Sequence, residues 1–234
     1  MNANKKPRSA PATVDEFAGR MMTATFSPAS TEDEAREFLR RFAEYPRVDA
    51  IFVDQPWVDI AREILGPLGI TVGIEAAYPV GNWSTEAKVA AIREGVRVGV
   101  DEIDIGGAFA AIKSGDFDAV YDDAKAMLDA AGGSIRVMVL PETAILSRDE
   151  LARTLEAYAK AGVEGIKTSS GYGWNTEAED VRFIRETFGE VFQIDVSGGV
   201  RTIDQALAHF EAGADNIHVS PIFRILGEAK ERFS

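Results

Sequence analysis

The sequence predicts an α/β protein with a single (β/α)8 TIM barrel, in which eight parallel strands alternate with helices. Short apolar, β-branched runs alternate along the chain with longer amphipathic segments, and there are eight such runs. The runs recur about every 28 residues, which fits one strand, two short loops and one helix. The length of 234 residues is also close to the roughly 250 residues typical of such barrels.

Each predicted strand is a short run of the β-branched and apolar side chains that suit a buried parallel sheet. The expected strands are Met21–Thr25, Val48–Val53, Thr71–Ala76, Glu102–Ile105, Ile135–Leu140, Gly165–Thr168, Phe192–Val196 and Asn216–Val219. The segments between them have helical periodicity. The expected helices are Thr31–Tyr45, Trp57–Leu65, Ser84–Val98, Asp116–Ala131, Arg148–Ala161, Thr176–Phe188 and Thr202–Ala212.

Several of these helices carry residues that favour their ends. Ser84 and Ser147 each place a hydroxyl before a first helical turn, and Glu150 completes a capping box with Ser147. Three helices are followed by a glycine, which readily takes the left-handed conformation that ends a helix. These glycines are Gly99, Gly162 and Gly213.

An open, doubly wound sheet is the alternative arrangement of the same elements. No predicted strand is followed by G-x-G-x-x-G or by a Walker phosphate loop, so the closed barrel is favoured. No linker or change in composition divides the chain. We therefore expect a flexible N-terminal leader over residues 1–18 and one barrel domain over residues 19–234.

The composition argues against several classes of protein. Mean hydropathy is -0.08 and no apolar run approaches about 18 residues, so a membrane span is not expected. The polar first 13 residues lack the apolar core of a signal peptide, and the expected location is the cytoplasm. A net charge of -13 disfavours nucleic acid and anionic membranes as partners, whereas a homo-oligomer is compatible with the sequence.

Neither a metal ion nor a cofactor is expected. The chain has no cysteine, which excludes disulfides, thiolate metal sites and cysteine nucleophiles. Its two histidines are His209, in a predicted helix, and His218, in the eighth strand. A single histidine facing a pocket is a poor basis for a metal site.

The candidate catalytic groups are polar residues at the C-terminal ends of the strands, where such barrels place their active sites. The catalytic candidates are Asp104, Glu142, Lys167 and Asp195, and Glu75 is a further polar residue at the end of the third strand. Lys167 is the most informative, because lysine is almost never fully buried without a partner. It is interpreted either as half of a structural salt bridge or as a nucleophile that forms a Schiff base with a carbonyl. Asp104 and Glu142 would then transfer protons, or only pair with a cation.

A phosphate site is expected where Ser197, Gly198 and Gly199 precede the last predicted helix. Glycines allow backbone N–H groups to approach a ligand, and a helix N-terminus favours an anion. Barrels often bind phosphate after the seventh and eighth strands, although a tight turn also explains the glycine pair. Three further substrate-binding candidates follow the sixth and eighth strands, namely Thr168, Ser169 and Ser220.

Five motifs between residues 21 and 220 resemble those of the deoxyribose-phosphate aldolases, which are class I aldolases with a (β/α)8 fold. The motifs are Tyr78–Gly81, Asp101–Asp104, Lys113–Tyr121, Gly165–Gly171 and Ser197–Thr202. The resemblance implies that Lys167 is the Schiff-base lysine and that Asp104 is a proton-relay acid. It also implies that Gly198 and Gly199 belong to a phosphate site.

The chain departs from this family pattern within the expected active site. A second lysine of the family is replaced by Asp195, and the other departures are Met22, Ala108 and Pro221. Neighbouring strands lie about 4.8 Å apart. An ionised Asp195 at roughly 5 Å would attract the Lys167 ammonium by roughly 3 kcal/mol at a dielectric near 20, which would raise the pKa of Lys167. Alternatively, Asp195 transfers protons itself. These departures predict a changed substrate or chemistry.

The leading interpretation is a class I aldolase or lyase acting on a small aldehyde or sugar that carries a phosphate, with a substrate altered from deoxyribose 5-phosphate. The first alternative is an isomerase or acid/base lyase that uses Asp104, Asp195 and Glu142 without a Schiff base. The second is a barrel that binds a ligand without catalysis.

Overall fold

The computed structural model describes residues 9–25, 29–79 and 81–234, and it contains a closed barrel of eight parallel strands. The strands follow each other around the barrel in chain order, and β1 pairs with β8 through Met21 opposite Ile217. This closure confirms the predicted barrel over an open sheet. The strands are β1 Met21–Thr25, β2 Ala50–Val53, β3 Thr71–Ala76, β4 Glu102–Gly106, β5 Arg136–Leu140, β6 Gly165–Lys167, β7 Gln193–Ser197 and β8 Asn216–His218.

The helices surround the barrel, and the seven predicted from the sequence are present. They are α2 Glu32–Arg40, α3 Val58–Leu65, α4 Thr85–Val98, α6 Phe117–Ala131, α7 Arg148–Ala161, α8 Ala178–Phe188 and α9 Ile203–Ala212. Three further helices had not been predicted: α1 Val14–Ala18, α5 Phe109–Lys113 and α10 Ile222–Arg232. Within the described ranges, no helix combines the length and apolar character needed to cross a bilayer.

The expected flexible leader over residues 1–18 is wrong for its last part. Helix α1 begins after Thr13, whose hydroxyl accepts a hydrogen bond from the N–H of Glu16. Phe17 is fully buried and packs against the rings of Phe210 and Phe233, which holds this helix on the barrel. Residues 1–8 lie outside the described residues, as does residue 80 of the Tyr78–Gly81 motif.

The helix ends have the geometry that their residues predict. Ser147 and Glu150 form a capping box at the start of α7, and Ser84 accepts a hydrogen bond from Ala87 at the start of α4. The three predicted terminating glycines all have left-handed backbone conformations, with φ of 76°, 94° and 108° at Gly99, Gly162 and Gly213. These caps fix the lengths of the helices that cover the barrel.

The interior of the barrel differs in character from the layer between strands and helices. Alternate strand residues point outward into one continuous apolar core that the helices cover. The inward-facing residues include a small apolar cluster of Met22, Ala50 and Phe52 together with buried charged groups. One group of such charges lies around Lys167, at the C-terminal ends of the strands.

Candidate active site

Lys167 is the last residue of β6, and its ammonium group lies between two carboxylates. Its Nζ is 2.6 Å from Glu75 Oε1 and 2.8 Å from Asp104 Oδ2. Glu75 and Asp104 are register partners on β3 and β4, so their side chains point to the same side of the sheet. Only 2% of the Lys167 side chain is exposed. The structure therefore contains the buried salt bridge that was one interpretation of this lysine.

Two aromatic rings complete the surroundings of the ammonium. The centre of the Phe52 ring lies 5.4 Å from Nζ, and that of Tyr78 lies 5.2 Å away. The Tyr78 hydroxyl donates a hydrogen bond of 2.7 Å to the carbonyl of Ser170, which fixes this ring beside the loop after β6. Both rings present polarisable faces to the cation and shield it from water.

The charges in this cluster shift one another's proton affinities. Burial alone lowers the pKa of Lys167, but the combined attraction of Asp104, Glu75 and Tyr78 outweighs it and holds that pKa well above its usual range. Burial raises the pKa of Glu75 to about 7 despite the opposing effect of Lys167, and it also raises the pKa of Asp104. Lys167 is therefore a cation in this state, because its partners outweigh the effect of burial. A weakly acidic carboxyl group lies next to it.

A cavity of about 390 Å³ opens above Lys167 at the C-terminal end of the barrel. Lys167, Glu75 and His218 line its inner part, and residues from the loops after β6, β7 and β8 line its walls. Lys167 thus has access to a space the size of a small molecule. This space lies at the end of the barrel where TIM-barrel enzymes have their active sites.

His218, the last residue of β8, is 9% exposed and lies against the ring of Phe52. Burial and the charge of Lys167 hold its pKa well below the usual range, so the imidazole is neutral. Ligand atoms of His218, Glu75 and Asp104 all lie within 4.8 Å of one another, so the three could hold a metal ion. The ammonium of Lys167 provides the cation between the two carboxylates here.

Gly198 and Gly199, expected to bind phosphate, lie in the wall of the cavity with φ of 90° and 86°. A Cβ on Gly198 would lie 2.5 Å from the carbonyl oxygen of Trp174, and one on Gly199 would lie 2.8 Å from Cγ of Asn175. Any larger residue is therefore excluded by the close approach of the loop after β6. Among the described residues, none accepts a hydrogen bond from the N–H groups of these two glycines.

The N-terminus of α9 contributes less to this wall than the sequence suggested. The N–H groups of Arg201 and Thr202 both donate to Oε1 of Gln205, at 2.8 and 3.2 Å. The N–H of Ile203 donates to Glu228 Oε2 at 2.8 Å. These groups already have partners, so the glycine N–H groups are the better donors for an anion.

Arg201 adds a positive charge to the same wall. It is exposed and lines the cavity together with the predicted Ser197 and Ser220. Pro221, which has no N–H, also lines this side of the cavity. The wall therefore offers backbone donors, hydroxyls and one guanidinium group to a ligand.

Five of the predicted site residues do not line the cavity, namely Asp104, Glu142, Thr168, Ser169 and Asp195. Three of them belong to the loop after β6 or contact it. Glu142 is fully buried and accepts hydrogen bonds from the Ser169 hydroxyl and, at 3.0 Å, from the Ser170 N–H. The Thr168 hydroxyl lies 2.7 Å from that of Thr176 and accepts from the Ser197 N–H at 3.2 Å. Glu142, Thr168 and Ser169 thus support the loop that follows β6, in place of the substrate contacts expected of them.

Asp195 is the register partner of Lys167 on β7, but its carboxylate interacts with other groups. It accepts hydrogen bonds from Gln193 Nε2 at 3.0 Å and from Asn216 Nδ2 at 3.1 Å. Asp195 was expected to raise the pKa of Lys167, but Asp104 and Glu75 have this effect instead. The reason is that the Lys167 side chain reaches across the barrel towards β3 and β4. Burial raises the pKa of Asp195 itself to about 7.

Two residues at the site were not among the predicted functional residues. Glu75 was noted as a polar residue at a strand end, but it was not assigned a function. Tyr78 belongs to the motif Tyr78–Gly81, for which the sequence predicted no function. The signal that could have identified Glu75 is its register: it lies beside Asp104 on an otherwise apolar strand.

Comparisons with known proteins relate this arrangement to a group of enzymes. No family model matches the chain. Deoxyribose-phosphate aldolase 2 of Oceanobacillus iheyensis is 32% identical over 200 residues, which span 85% of this chain and 89% of that relative. A solved structure described as QR15, an aldolase, has a TM-score of 0.85 and 30% identity, covering 92% of this chain and 96% of that one. The deoxyribose phosphate aldolase of Aeropyrum pernix, described as tetrameric, has a TM-score of 0.85 at 21% identity, covers 95% and 94% of the two chains, and shows the shared fold alone.

Proposed function

Because the chain belongs to the deoxyribose-phosphate aldolase family and is an aldolase, we propose that Lys167 is the amine that forms a Schiff base with its carbonyl substrate. The observation that carries this proposal is a buried lysine, paired with two carboxylates, at the inner end of the cavity. A lysine can be desolvated in this way only where its charge is compensated. The compensation keeps it positioned until substrate arrives.

The reaction begins when the Lys167 ammonium passes a proton to a carboxylate partner. The neutral amine attacks the carbonyl carbon, an N–C bond forms, and the C=O π electrons move to oxygen. Loss of water then gives an iminium ion, which accepts electrons from a breaking C–C bond or from the C–H bond of an α-proton that is removed. Asp104 is proposed as the buried counter-ion that stabilises this cation and relays protons at the nitrogen. For Asp195 and Glu142 we propose supporting roles, since neither lines the cavity.

We propose a small aldehyde or sugar with a phosphate group as the substrate. The relatives are named for action on deoxyribose phosphate, and a cavity of about 390 Å³ suits a molecule of that size. The free N–H groups of Gly198 and Gly199, with Ser197, Arg201 and Ser220, are the proposed phosphate contacts. Glu75, Tyr78 and His218 are the other polar residues that line the cavity near Lys167. The departures from the family pattern at Asp195, Met22, Ala108 and Pro221 support a substrate altered from deoxyribose 5-phosphate.

The test is reductive trapping with acetaldehyde and a set of sugar phosphates in the presence of cyanoborohydride, measured by intact mass. The wild type should gain the mass of the aldehyde less one oxygen atom, and Lys167→Ala should not. Lys88→Ala is the matched control, because Lys88 is also fully buried and lies 2.8 Å from a carboxylate, Asp123, away from the cavity. If the wild type turns over substrate without forming an adduct, and Lys167→Ala retains this turnover, the reaction uses acid/base chemistry without a Schiff base.

A further inference from the structure

The two carboxylates that share the Lys167 ammonium differ in their access to the cavity. Glu75 lines the cavity and 7% of its side chain is exposed, whereas the side chain of Asp104 is 2% exposed and lies behind it. Glu75 Oε1 is also the nearer to Nζ, at 2.6 Å against 2.8 Å for Asp104 Oδ2. A substrate carbon bound to Nζ would lie in the cavity, on the side of Glu75.

We propose that Glu75 is a catalytic residue, the group that exchanges protons with the oxygen and the α-carbon of the substrate, while Asp104 remains the counter-ion of the nitrogen. This inference rests on the proposed Schiff base at Lys167. It assigns to Glu75 a proton-transfer function in a chain that has Asp195 where the family has a second lysine.

The proton transfers balance when Glu75 carries them. Its carboxylate first takes a proton from the Lys167 ammonium, and the amine attacks the carbonyl to give a carbinolamine after proton transfer from nitrogen to oxygen. The Glu75 carboxyl group then protonates the hydroxyl and the C–O bond breaks. Water departs, and an iminium ion remains on Lys167. The regenerated carboxylate removes an α-proton, whose C–H electrons form the C=C bond of the enamine. For C–C cleavage, the Glu75 carboxylate instead removes the proton of the β-hydroxyl group of the iminium, the C–C bond breaks to release an aldehyde, and its electrons form the enamine. The Glu75 carboxyl group then protonates the α-carbon of the enamine.

The charges around Glu75 suit a group that both accepts and donates protons near neutral pH. Lys167 faces it from β6 and Asp104 from β4, and Asp54 follows β2. Tyr78 and the neutral His218 complete its surroundings. Burial and the two other acids raise the pKa of Glu75, whereas Lys167 lowers it, and the result is about 7. A proton-transfer group is most effective when its pKa is near the working pH.

The experiment measures two quantities in the full-length protein, the amount of trapped Schiff base and the exchange of α-protons. Acetaldehyde is the probe, because it is the simplest aldehyde with α C–H bonds. Exchange in D2O is followed by proton NMR, and the imine is quantified by cyanoborohydride trapping. Glu75→Gln keeps the size of the side chain and removes its acid function, and Asp104→Asn is the matched variant.

Exchange per trapped imine should fall by roughly 10²–10⁴-fold in Glu75→Gln, which is the usual contribution of a general acid/base group. The exchange per trapped imine should change much less in Asp104→Asn. In that variant, any loss of total exchange should come mainly from a smaller amount of imine. The proposal is overturned if Glu75→Gln lowers exchange and trapping by the same factor, or if the ratio falls only in Asp104→Asn. If wild type forms no adduct, the Schiff base itself is refuted, which is a separate outcome.

Folding of each variant is checked by circular dichroism. Should Glu75→Gln fail to fold, Glu75→Asp provides the same comparison, because it keeps the acid but withdraws it by about 1.5 Å, the length of one C–C bond. The ratio of exchange to imine should then fall, and formate added to Glu75→Ala should raise it again. An unchanged ratio in both variants would contradict a catalytic role for Glu75.

Discussion

Replacing Lys167 by methionine removes the cation that lies between Glu75 and Asp104. At the observed distances of 2.6 and 2.8 Å, each carboxylate attracts the ammonium by roughly 6 kcal/mol at an effective dielectric near 20. The variant cannot retain two buried carboxylates without a counter-ion, so both bind protons, and this limits the loss. We expect the free energy of unfolding to fall by about 3–5 kcal/mol near neutral pH, as for other broken buried pairs.

The loss should depend on pH, with a definite sign. Without the ammonium, the raised pKa values of Glu75 and Asp104 rise further, so these two carboxyl groups bind about one more proton in the folded variant than in the folded wild type. In the unfolded chains the two groups bind protons equally, and the proton of Lys167 is present in both states of the wild type and therefore cancels. A raised folded-state pKa gives stability that is lost as the pH increases. The difference between variant and wild type should therefore grow by about 1.4 kcal/mol per pH unit between pH 5 and pH 7.

Urea unfolding at pH 5, 6 and 7, followed by far-ultraviolet circular dichroism, measures this difference. The control is the triple variant Lys167→Met/Glu75→Gln/Asp104→Asn, in which neither Glu75 nor Asp104 is left to titrate. Its free energy of unfolding should not decrease more steeply with pH than that of the wild type. A loss in Lys167→Met that does not vary with pH would refute the assignment of the two carboxylates as its partners.

Three further outcomes follow from the site. In Asp195→Asn, the free energy of unfolding should decrease less than in wild type as the pH rises from about 4 to 7, because the group with the raised pKa is removed. Urea titrations in which both proteins lose stability equally over this pH range would contradict this. Gly198→Ala should raise KM for a phosphorylated substrate roughly 10-fold or more relative to its unphosphorylated analogue. The added Cβ would lie 2.5 Å from the Trp174 carbonyl oxygen, so the backbone must shift and its N–H loses the hydrogen bond to the charged group. Equal changes in both KM values would argue against a phosphate site. The rate of trapping at saturating acetaldehyde should increase as the pH rises above neutral, because the pKa of Lys167 is raised; a rate that falls over this range would show that the free amine is not limiting.

The sequence predicts the strands and most helices because both depend on local periodicity. All eight strands were expected within two residues of their observed bounds, since each is a largely buried run that contains apolar or β-branched residues. Helix α1 was missed because its five residues are too few to show a period, although tertiary contacts of Phe17 hold it on the barrel. Lys167 could be selected because a lysine inside an apolar run must have a partner.

The partners of Lys167 could not be predicted from the sequence in the same way. Register places Asp195 beside it, and from sequence this was the expected neighbour. A long lysine side chain can instead cross a barrel, and the acids on β3 and β4 compensate its charge. Likewise, the loop after β6 directs Thr168 and Ser169 away from the cavity, which depends on hydrogen bonds to Glu142 and Thr176 that sequence spacing does not reveal.

The position of the trapped adduct tests the central claim most directly. After cyanoborohydride trapping with acetaldehyde, the protein is digested with trypsin, which does not cut after an alkylated lysine. Modification of Lys167 should join the segments on either side of it into one peptide, residues 161–182, that carries the added mass. Lys88→Ala should give the same peptide. An adduct that maps to other lysines, with residues 161–167 recovered unmodified, would contradict Lys167 as the Schiff-base residue.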